Sequence, residues 1–132
     1  MSQEINKFVV ECGALKKSYG PEFDEVVLQG LDLRVSSGTS IAITGSSGSG
    51  KTTLLNIIAG LDSPDAGEVY VSGQLLAELN SSEMCKFRNR NIGFVFQFHN
   101  LLSEFTAVEN IAMPLMIAGS PRRLAVDQAL HL

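Results

Sequence analysis

The sequence predicts an α/β fold in which a parallel β-core is joined to an antiparallel β-subdomain. A short run of small and β-branched residues, 40–44, is typical of a strand buried on both faces of a parallel sheet, and a helical pattern follows a few residues later. The first 40 residues instead alternate apolar and polar side chains, which indicates a half-buried antiparallel sheet. With 132 residues, the chain has room for at most one domain.

The β-subdomain is predicted from two-residue periodicity. Residues 7–12 and 31–35 alternate as strands do, and residues 68–72 alternate again after a segment rich in Asp, Pro and Gly. We therefore expect a hairpin-like excursion after residue 62 that joins the sheet formed by the first 40 residues.

The core is predicted from a unit of strand, loop and helix. Residues 40–44 form the strand, apolar residues recur at helical spacing after residue 51, and Gly60 is placed to end the helix. Residues 92–96, which read IGFVF, are a second candidate for a buried strand. We expect these two strands to seed the parallel sheet.

Further helices are predicted from capping residues. Ser81 or Ser82 can cap a short basic helix. Thr106 and Glu109 have the spacing of a capping box and open a helix that is expected to kink or break at an internal proline. A Ser-Pro pair then precedes a last helix, predicted to cover residues 122–132.

A phosphate-binding motif lies between the predicted strand and the first helix. Residues 45–52 read GSSGSGKT and match G-x-x-x-x-G-K-[ST] completely. Glycines let the backbone approach a polyphosphate, so that N–H groups and the helix N-terminus face negative charge. Lys51 is expected to bridge the β and γ phosphates, Thr52 to place its hydroxyl on Mg²⁺, and Thr53 to reach the α phosphate. The predicted nucleotide site comprises Gly45, Ser46, Ser47, Gly48, Ser49, Gly50, Lys51, Thr52 and Thr53.

Composition argues against several other classes. A net charge of −4 argues against a nucleic-acid binder that works by bulk charge. Cys12 and Cys85 lie far apart without a CxxC pattern, so neither a disulfide framework nor a zinc site is predicted, and a reducing compartment fits best. The N-terminus lacks the pattern of a secretory signal, and the apolar stretch 111–119 is too short to span a bilayer. Any membrane role is therefore expected to be peripheral.

The phosphate loop alone leaves the class of protein open, because kinases, GTPases, helicases and transporter ATPases share it. A GTPase should show an N-K-x-D element, which does not occur in this sequence. A small kinase would need several arginines late in the chain, whereas only Arg122 and Arg123 follow residue 90. The kinase stays as a weak alternative.

Three short sequence elements at fixed spacings narrow the class of phosphate-loop protein. Tyr19, in KKSYG, stands 26 residues before Gly45; the loop reads GSSGSGKTT; and Gln97 ends IGFVFQ, 46 residues after Lys51. In this combination the chain resembles the nucleotide-binding domain of ATP-binding cassette (ABC) transporters. The sequence of residues 87–119 resembles the branch of this family that powers lipoprotein release and macrolide-type export from the bacterial inner membrane.

The resemblance implies roles for further residues in ATP and Mg²⁺ binding, and it also implies partner subunits and a location at the membrane. It implies that Tyr19 stacks on the adenine of ATP and that Gln97 touches Mg²⁺ and the γ phosphate, so Thr52 and Gln97 are the expected metal contacts. It also implies transmembrane subunits and a second nucleotide-binding subunit as partners, at the cytoplasmic face of the inner membrane. An apolar cluster that follows Gln97 is the expected docking surface for a helix of a membrane partner, with simple core packing as the alternative; its members are Phe98, Leu101, Leu102 and Phe105.

The sequence departs from the family in what it lacks. Complete domains of the family carry an LSGGQ-type signature loop, a second acidic strand and a switch histidine, and none of them occurs here. The apolar residues 57–61 followed by Asp62 could be mistaken for the second acidic strand, but they directly continue the phosphate-loop helix. A neighbouring parallel strand would need a crossover of a dozen or more residues, so Asp62 is interpreted as a turn residue. We expect a single partial domain over residues 1–132, with the core and β-subdomain in 1–97 and the start of a helical subdomain in 98–132. The alternative function is a truncated nucleotide-binding or interaction module without hydrolysis.

Overall fold

The computed structural model describes residues 7–21, 25–98 and 100–132. The chain divides into two compact units, one up to Met84 and one from Cys85 onward. The proposed start of a helical subdomain at residue 98 stays a prediction. The segment on which the prediction about a secretory signal depends lies almost wholly outside the described residues.

The described part of the first unit forms a four-stranded antiparallel sheet in the order β2-β1-β3-β4. Strands β1 (Phe8–Tyr19) and β2 (Glu25–Ser36) pair from one end to the other, with Phe8 opposite Ser36 and Tyr19 opposite Glu25. Strand β3 (Ala66–Val71) pairs with β1, and the short β4 (Gln74–Leu75) returns along β3. The predicted antiparallel β-subdomain and its hairpin-like excursion are confirmed.

The core of the first unit is built from the sheet, helix α1 (Lys51–Ile58) and a single 3₁₀ turn, Leu76–Glu78. Leu15 of β1 and Ile57 of α1 are fully buried. Helix α1 ends at Ile58, and Gly60 follows with φ +63, a left-handed conformation that favours glycine. The predicted role of Gly60 as the end of this helix is confirmed.

The two predicted parallel strands are wrong for this chain. Residues 40–44 and 92–96 have no regular secondary structure, and Ile41 and Val95 are exposed. A strand exists only where a neighbour takes up its N–H and C=O groups, and no ladder joins either segment to any described residue. The composition of these segments suits a buried strand, but composition does not supply the pairing partner.

Helix α2 (Ser81–Asn91) begins differently from the prediction. The Asn80 Oδ1 atom accepts hydrogen bonds from the backbone N–H groups of Ser82 and Glu83, each at 3.0 Å, and Glu83 Oε2 accepts from the N–H of Asn80 at 2.9 Å. Asn80 therefore caps the helix, and the predicted cap at Ser81 or Ser82 is wrong by one or two residues.

The second unit contains α3 (Ala107–Ile117) and α4 (Arg122–Ala129), which pack against each other around three buried alanines, Ala112, Ala125 and Ala129. The predicted capping box of Thr106 and Glu109 is confirmed, with both of its hydrogen bonds present. Helix α3 continues through Pro114, so the expected break is wrong, and the alternative of a kink stays a prediction. Helix α4 has Pro121 as its N-cap, makes no side-chain capping bond there among the described residues, and ends before residue 132.

No helix in the described part of the chain is long and apolar enough to cross a membrane.

Candidate functional site

The phosphate loop has a backbone at its last residue, Gly50, that only glycine allows. Gly50 has φ +84, and a Cβ there would lie 2.8 Å from Cγ1 of Val27 and 3.1 Å from its carbonyl oxygen. A Cβ on Gly45 would lie 2.6 Å from the Ser49 hydroxyl oxygen. The loop is therefore folded closely on itself and against strand β2, as a cradle for a polyphosphate requires.

Lys51 is held inside the curve of this loop. Its Nζ atom donates hydrogen bonds to the carbonyl oxygens of Gly45 (2.9 Å) and Ser46, and to the Ser49 hydroxyl (3.3 Å). Helix α1 begins at Lys51, and no side chain among the described residues caps its N-terminus. The first N–H groups of α1 and the lysine ammonium thus mark one electropositive end of the helix.

A cleft of about 230 Å³ lies beside the loop. Tyr19, at the end of β1, lines this cleft together with the first turn of α1. The lining residues are Tyr19, Glu25, Val27, Gly48, Ser49, Gly50, Lys51, Thr52 and Thr53. The structure therefore brings Tyr19 next to the phosphate loop, as a nucleotide site with an adenine-stacking aromatic requires.

Glu25 and Val27 were missed as lining residues. Their place follows from the pairing of β1 with β2, in which Tyr19 stands opposite Glu25. No local pattern in the sequence gives this register, so no sequence signal could have found them.

Tyr19 is fastened by Asp62, which lies in the turn after α1. The Tyr19 hydroxyl donates to Asp62 Oδ2 at 2.6 Å, and Lys17 Nζ donates to Asp62 Oδ1 at 2.9 Å and to the carbonyl oxygen of Ser63 at 2.7 Å. The same ammonium lies 5.1 Å from the centroid of the Tyr19 ring. Asp62 is a turn residue, as predicted, but its side chain also links the turn to β1 across 43 positions of sequence.

The hydrogen bonds among Tyr19, Asp62 and Lys17 shift the pKa of each of these residues. The hydrogen bond to Asp62 raises the pKa of Tyr19, with burial adding to the effect and a side-chain contact with Thr53 opposing it. The same hydrogen bond lowers the pKa of Asp62, and the hydrogen bond to Asp62 raises the pKa of Lys17. At neutral pH, Asp62 is therefore a carboxylate, Lys17 a cation, and Tyr19 a neutral donor.

Gln97 belongs to the second unit, where it is exposed and follows the irregular segment 92–96. Its predicted contacts with Mg²⁺ and the γ phosphate stay a prediction. The apolar cluster that follows it is also exposed, with Phe98 at 74% and Leu101 at 66% of their free surface. The cluster is therefore not buried as a core within this chain.

The loop that carries this cluster is fastened to α3 by Asn110. Its Oδ1 atom accepts from the N–H of Leu102 at 2.9 Å, and its Nδ2 atom donates to the carbonyl oxygens of Leu102 and Phe105, each at 3.1 Å. Leu102 and Phe105 thus stay exposed on a loop whose backbone is fixed.

Comparison with known proteins identifies the family of this chain. The ABC transporter family matches residues 28–131, most of the chain. The chain belongs to the ABC transporter family. Within the family, it is 52% identical over 129 residues to the lipoprotein-releasing system ATP-binding protein LolD of Chromohalobacter salexigens, and 51% identical over 128 residues to LolD of Pseudomonas fluorescens. These alignments cover 96% of this chain, but 54% and 56% of the two relatives.

The solved structures agree with the fold of an ABC transporter ATP-binding cassette. The chain matches the dimeric ATP-binding cassette MJ0796 in a post-hydrolysis state bound to ADP and phosphate, with a TM-score of 0.82 and 36% identity over 92% of this chain and 54% of that one. This match confirms the predicted α/β class and the predicted resemblance. The chain spans about half the length of the relatives and structures that it matches.

The residues of this ABC transporter chain fit the nucleotide and Mg²⁺ that the family implies. The loop is a cradle that a Cβ at Gly45 would narrow, since it would meet the Ser49 hydroxyl, and a lysine stands inside it. Thr52, on the first turn of α1, offers an oxygen atom, the type of ligand that Mg²⁺ prefers.

Proposed function

We propose that this chain is the ATP-binding portion of an ABC transporter ATPase that powers lipoprotein release or export at the bacterial inner membrane. The observation that best supports this proposal is that one cleft is lined by the phosphate loop, with Lys51 inside it, and by the aromatic ring of Tyr19. The similarity to LolD proteins supports the lipoprotein-release branch.

Each residue of the site has a proposed task. Lys51 bridges the β and γ phosphates, and the backbone of residues 45–50 surrounds them. Thr52 offers its hydroxyl to Mg²⁺, Thr53 contacts the α phosphate, and the Tyr19 ring stacks on adenine. Gln97 contacts Mg²⁺ and the γ phosphate. When bound, Mg²⁺ neutralises charge on the phosphates.

Substitution of Lys51 tests the nucleotide site. Charge-assisted hydrogen bonds contribute about 1.5–3 kcal/mol each, so Lys51→Ala should weaken Mg-ATP binding at least about tenfold. The Lys51 bonds lie within the exposed loop, and the fold should stay intact. Calorimetric titration measures the affinity, and circular dichroism checks the fold.

Lys86→Ala is the matched control, because Lys86 is an exposed lysine of α2 that does not line the cleft. Equal ATP affinity in the wild-type and Lys51→Ala chains would contradict the nucleotide site.

We further propose that the exposed apolar cluster docks a short helix of a transmembrane subunit, on the cytoplasmic side of the membrane, and that a second nucleotide-binding subunit completes the assembly. Exposed apolar clusters of this kind mark protein contacts, and Asn110 fixes the loop that presents this one. The dimeric state of the MJ0796 cassette supports the second subunit.

Substitution within the cluster tests the docking. Leu102→Asp and Phe105→Asp each place a charge in the proposed interface without touching the phosphate loop. In the full-length protein we expect loss of membrane recruitment and of transport, with ATP binding unchanged, measured by membrane fractionation and calorimetry. Unchanged recruitment and transport in both variants would show that the cluster docks nothing.

A further inference from the structure

The hydrogen-bonded group around Asp62 lies at the edge of the proposed nucleotide cleft. Asp62 accepts from the Tyr19 hydroxyl at 2.6 Å and from Lys17 Nζ at 2.9 Å, and its Oδ1 atom also accepts from the backbone N–H of Ser63 at 2.7 Å. The carboxylate is thus fixed on both oxygens, from its own turn and from β1. It can hold the end of the Tyr19 ring in one place.

Lys17 fixes the ring from a second direction. Its ammonium is held by Asp62, by the Ser63 carbonyl oxygen and, at 3.7 Å, by Asp65, and it lies over the Tyr19 ring at 5.1 Å from the centroid. A cation over one ring face makes an attractive contact with the aromatic ring. Tyr19 nevertheless keeps 39% of its surface exposed and lines the cleft beside the phosphate loop.

We infer that Asp62, with Lys17, is a positioning residue that holds the Tyr19 ring ready to stack on the base of a bound nucleotide. The inference deepens the proposed function and depends on its adenine-stacking role for Tyr19. A free tyrosine side chain at the end of a strand loses rotamer freedom when a base stacks on it, and a ring that is already fastened has lost that freedom before binding. Asp62 therefore acts on the affinity for the base and leaves the affinity for the phosphates unchanged.

The contrast between base and phosphate gives the test. Calorimetry on the purified full chain measures the affinities for Mg-ATP and for Mg-tripolyphosphate, which has no base. Immobilising one side chain costs about 0.5–1.5 kcal/mol, so Tyr19→Phe and Asp62→Ala should each weaken ATP binding about two- to tenfold. Tripolyphosphate affinity should not change in either variant.

The two substitutions also form a double-mutant cycle. Because both break the same hydrogen bond, their effects on ATP affinity should be clearly less than additive in the double variant. Asp62→Asn, which keeps an oxygen acceptor for the Tyr19 hydroxyl, should recover part of the lost affinity. Asp127→Asn is the control, because Asp127 is an exposed aspartate of α4 that does not line the cleft, and this variant should bind ATP as the wild type does.

Each failure has a separate meaning. If Tyr19→Ala binds ATP as tightly as the wild type, adenine stacking is wrong and the inference is overturned with it. If Tyr19→Ala weakens ATP binding but Tyr19→Phe and Asp62→Ala do not, stacking stands and the positioning role is overturned. If Asp62→Ala weakens ATP and tripolyphosphate binding equally, Asp62 supports the fold of the cleft alone, which also overturns the inference.

Discussion

At the scale of single residues, the site depends on side chains that fix other side chains. Lys51 is fixed by the carbonyl oxygens of its own loop, and Tyr19 by a carboxylate 43 residues further along the chain. Both are therefore preorganised in this structure, which lowers the entropic cost of binding a ligand at these groups.

The hydrogen bond between Tyr19 and Asp62 predicts a shifted titration. Its contribution to stability is present below the ordinary pKa of tyrosine and is lost as the pH rises through the raised pKa of Tyr19. At the acid end, the contribution is present above the ordinary pKa of aspartate and is lost as the pH falls through the lowered pKa of Asp62. In Asp62→Asn, the acceptor is uncharged, so the pKa of Tyr19 should fall back towards its usual value.

Tyrosinate absorbance during alkaline titration measures this shift. Tyr70, the other tyrosine, also has a raised pKa, because of its hydrogen bond to Glu68, so both chains should carry Tyr70→Phe. An identical titration of Tyr19 with and without Asp62→Asn would show that the hydrogen bond is absent in solution.

At the scale of elements, the pairing of β1 with β3 depends on one close backbone approach. Strand β1 has an irregularity between Gly13 and Lys16, where Ala14 has φ +48 and donates its N–H to Asp32 Oδ1 at 2.8 Å. Gly67 of β3 lies against this bulge with φ +92, and a Cβ there would lie 2.5 Å from the Gly13 carbonyl oxygen. Only glycine fits at this point of the sheet.

Substitution of Gly67 tests this packing. Gly67→Ala forces a Cβ against the backbone at a strained φ, and we expect the free energy of unfolding to fall by about 1–3 kcal/mol. Gly13→Ala is the matched control in the facing strand, because a Cβ there meets nothing within 4 Å. Urea denaturation of the three chains measures the difference, and equal midpoints for Gly67→Ala and the wild type would refute the close approach.

At the scale of the whole molecule, binding and turnover have different requirements. Binding needs the phosphate loop, Lys51 and the Thr52 hydroxyl, whereas turnover also needs a positioned water and stabilisation of the charge on the transferred phosphoryl group. Glu109 is occupied by its capping bonds with Thr106 and by Arg122 at 2.8 Å, and Asp127 is exposed on α4. Neither carboxylate lines the cleft.

We therefore expect this chain to bind ATP without turnover above background. A phosphate-release assay on the purified chain measures turnover, with Lys51→Ala as the control for contaminating ATPases. Turnover that Lys51→Ala abolishes would contradict the prediction and place a catalytic carboxylate within these residues. Glu25→Gln would then test the described carboxylate that does line the cleft.

Features that depend on neighbouring residues could be predicted from the sequence. The phosphate loop, the end of α1 at Gly60 and the capping box of Thr106 and Glu109 are local, because each is set by residues a few positions apart. The family could be predicted for the same reason, since the loop, Tyr19 and Gln97 are short patterns at fixed spacings.

Features that depend on partners far away in the sequence became visible in the folded chain. Residues 40–44 have the composition of a buried strand but remain irregular, because a strand needs a neighbour to take its hydrogen bonds. Asp62 reaches Tyr19, and Glu25 reaches the cleft, through the turn after α1 and the register of β1 against β2. No short sequence pattern predicts either contact. Sheet pairing and chain folding bring these residues together from distant or unmarked positions in the sequence.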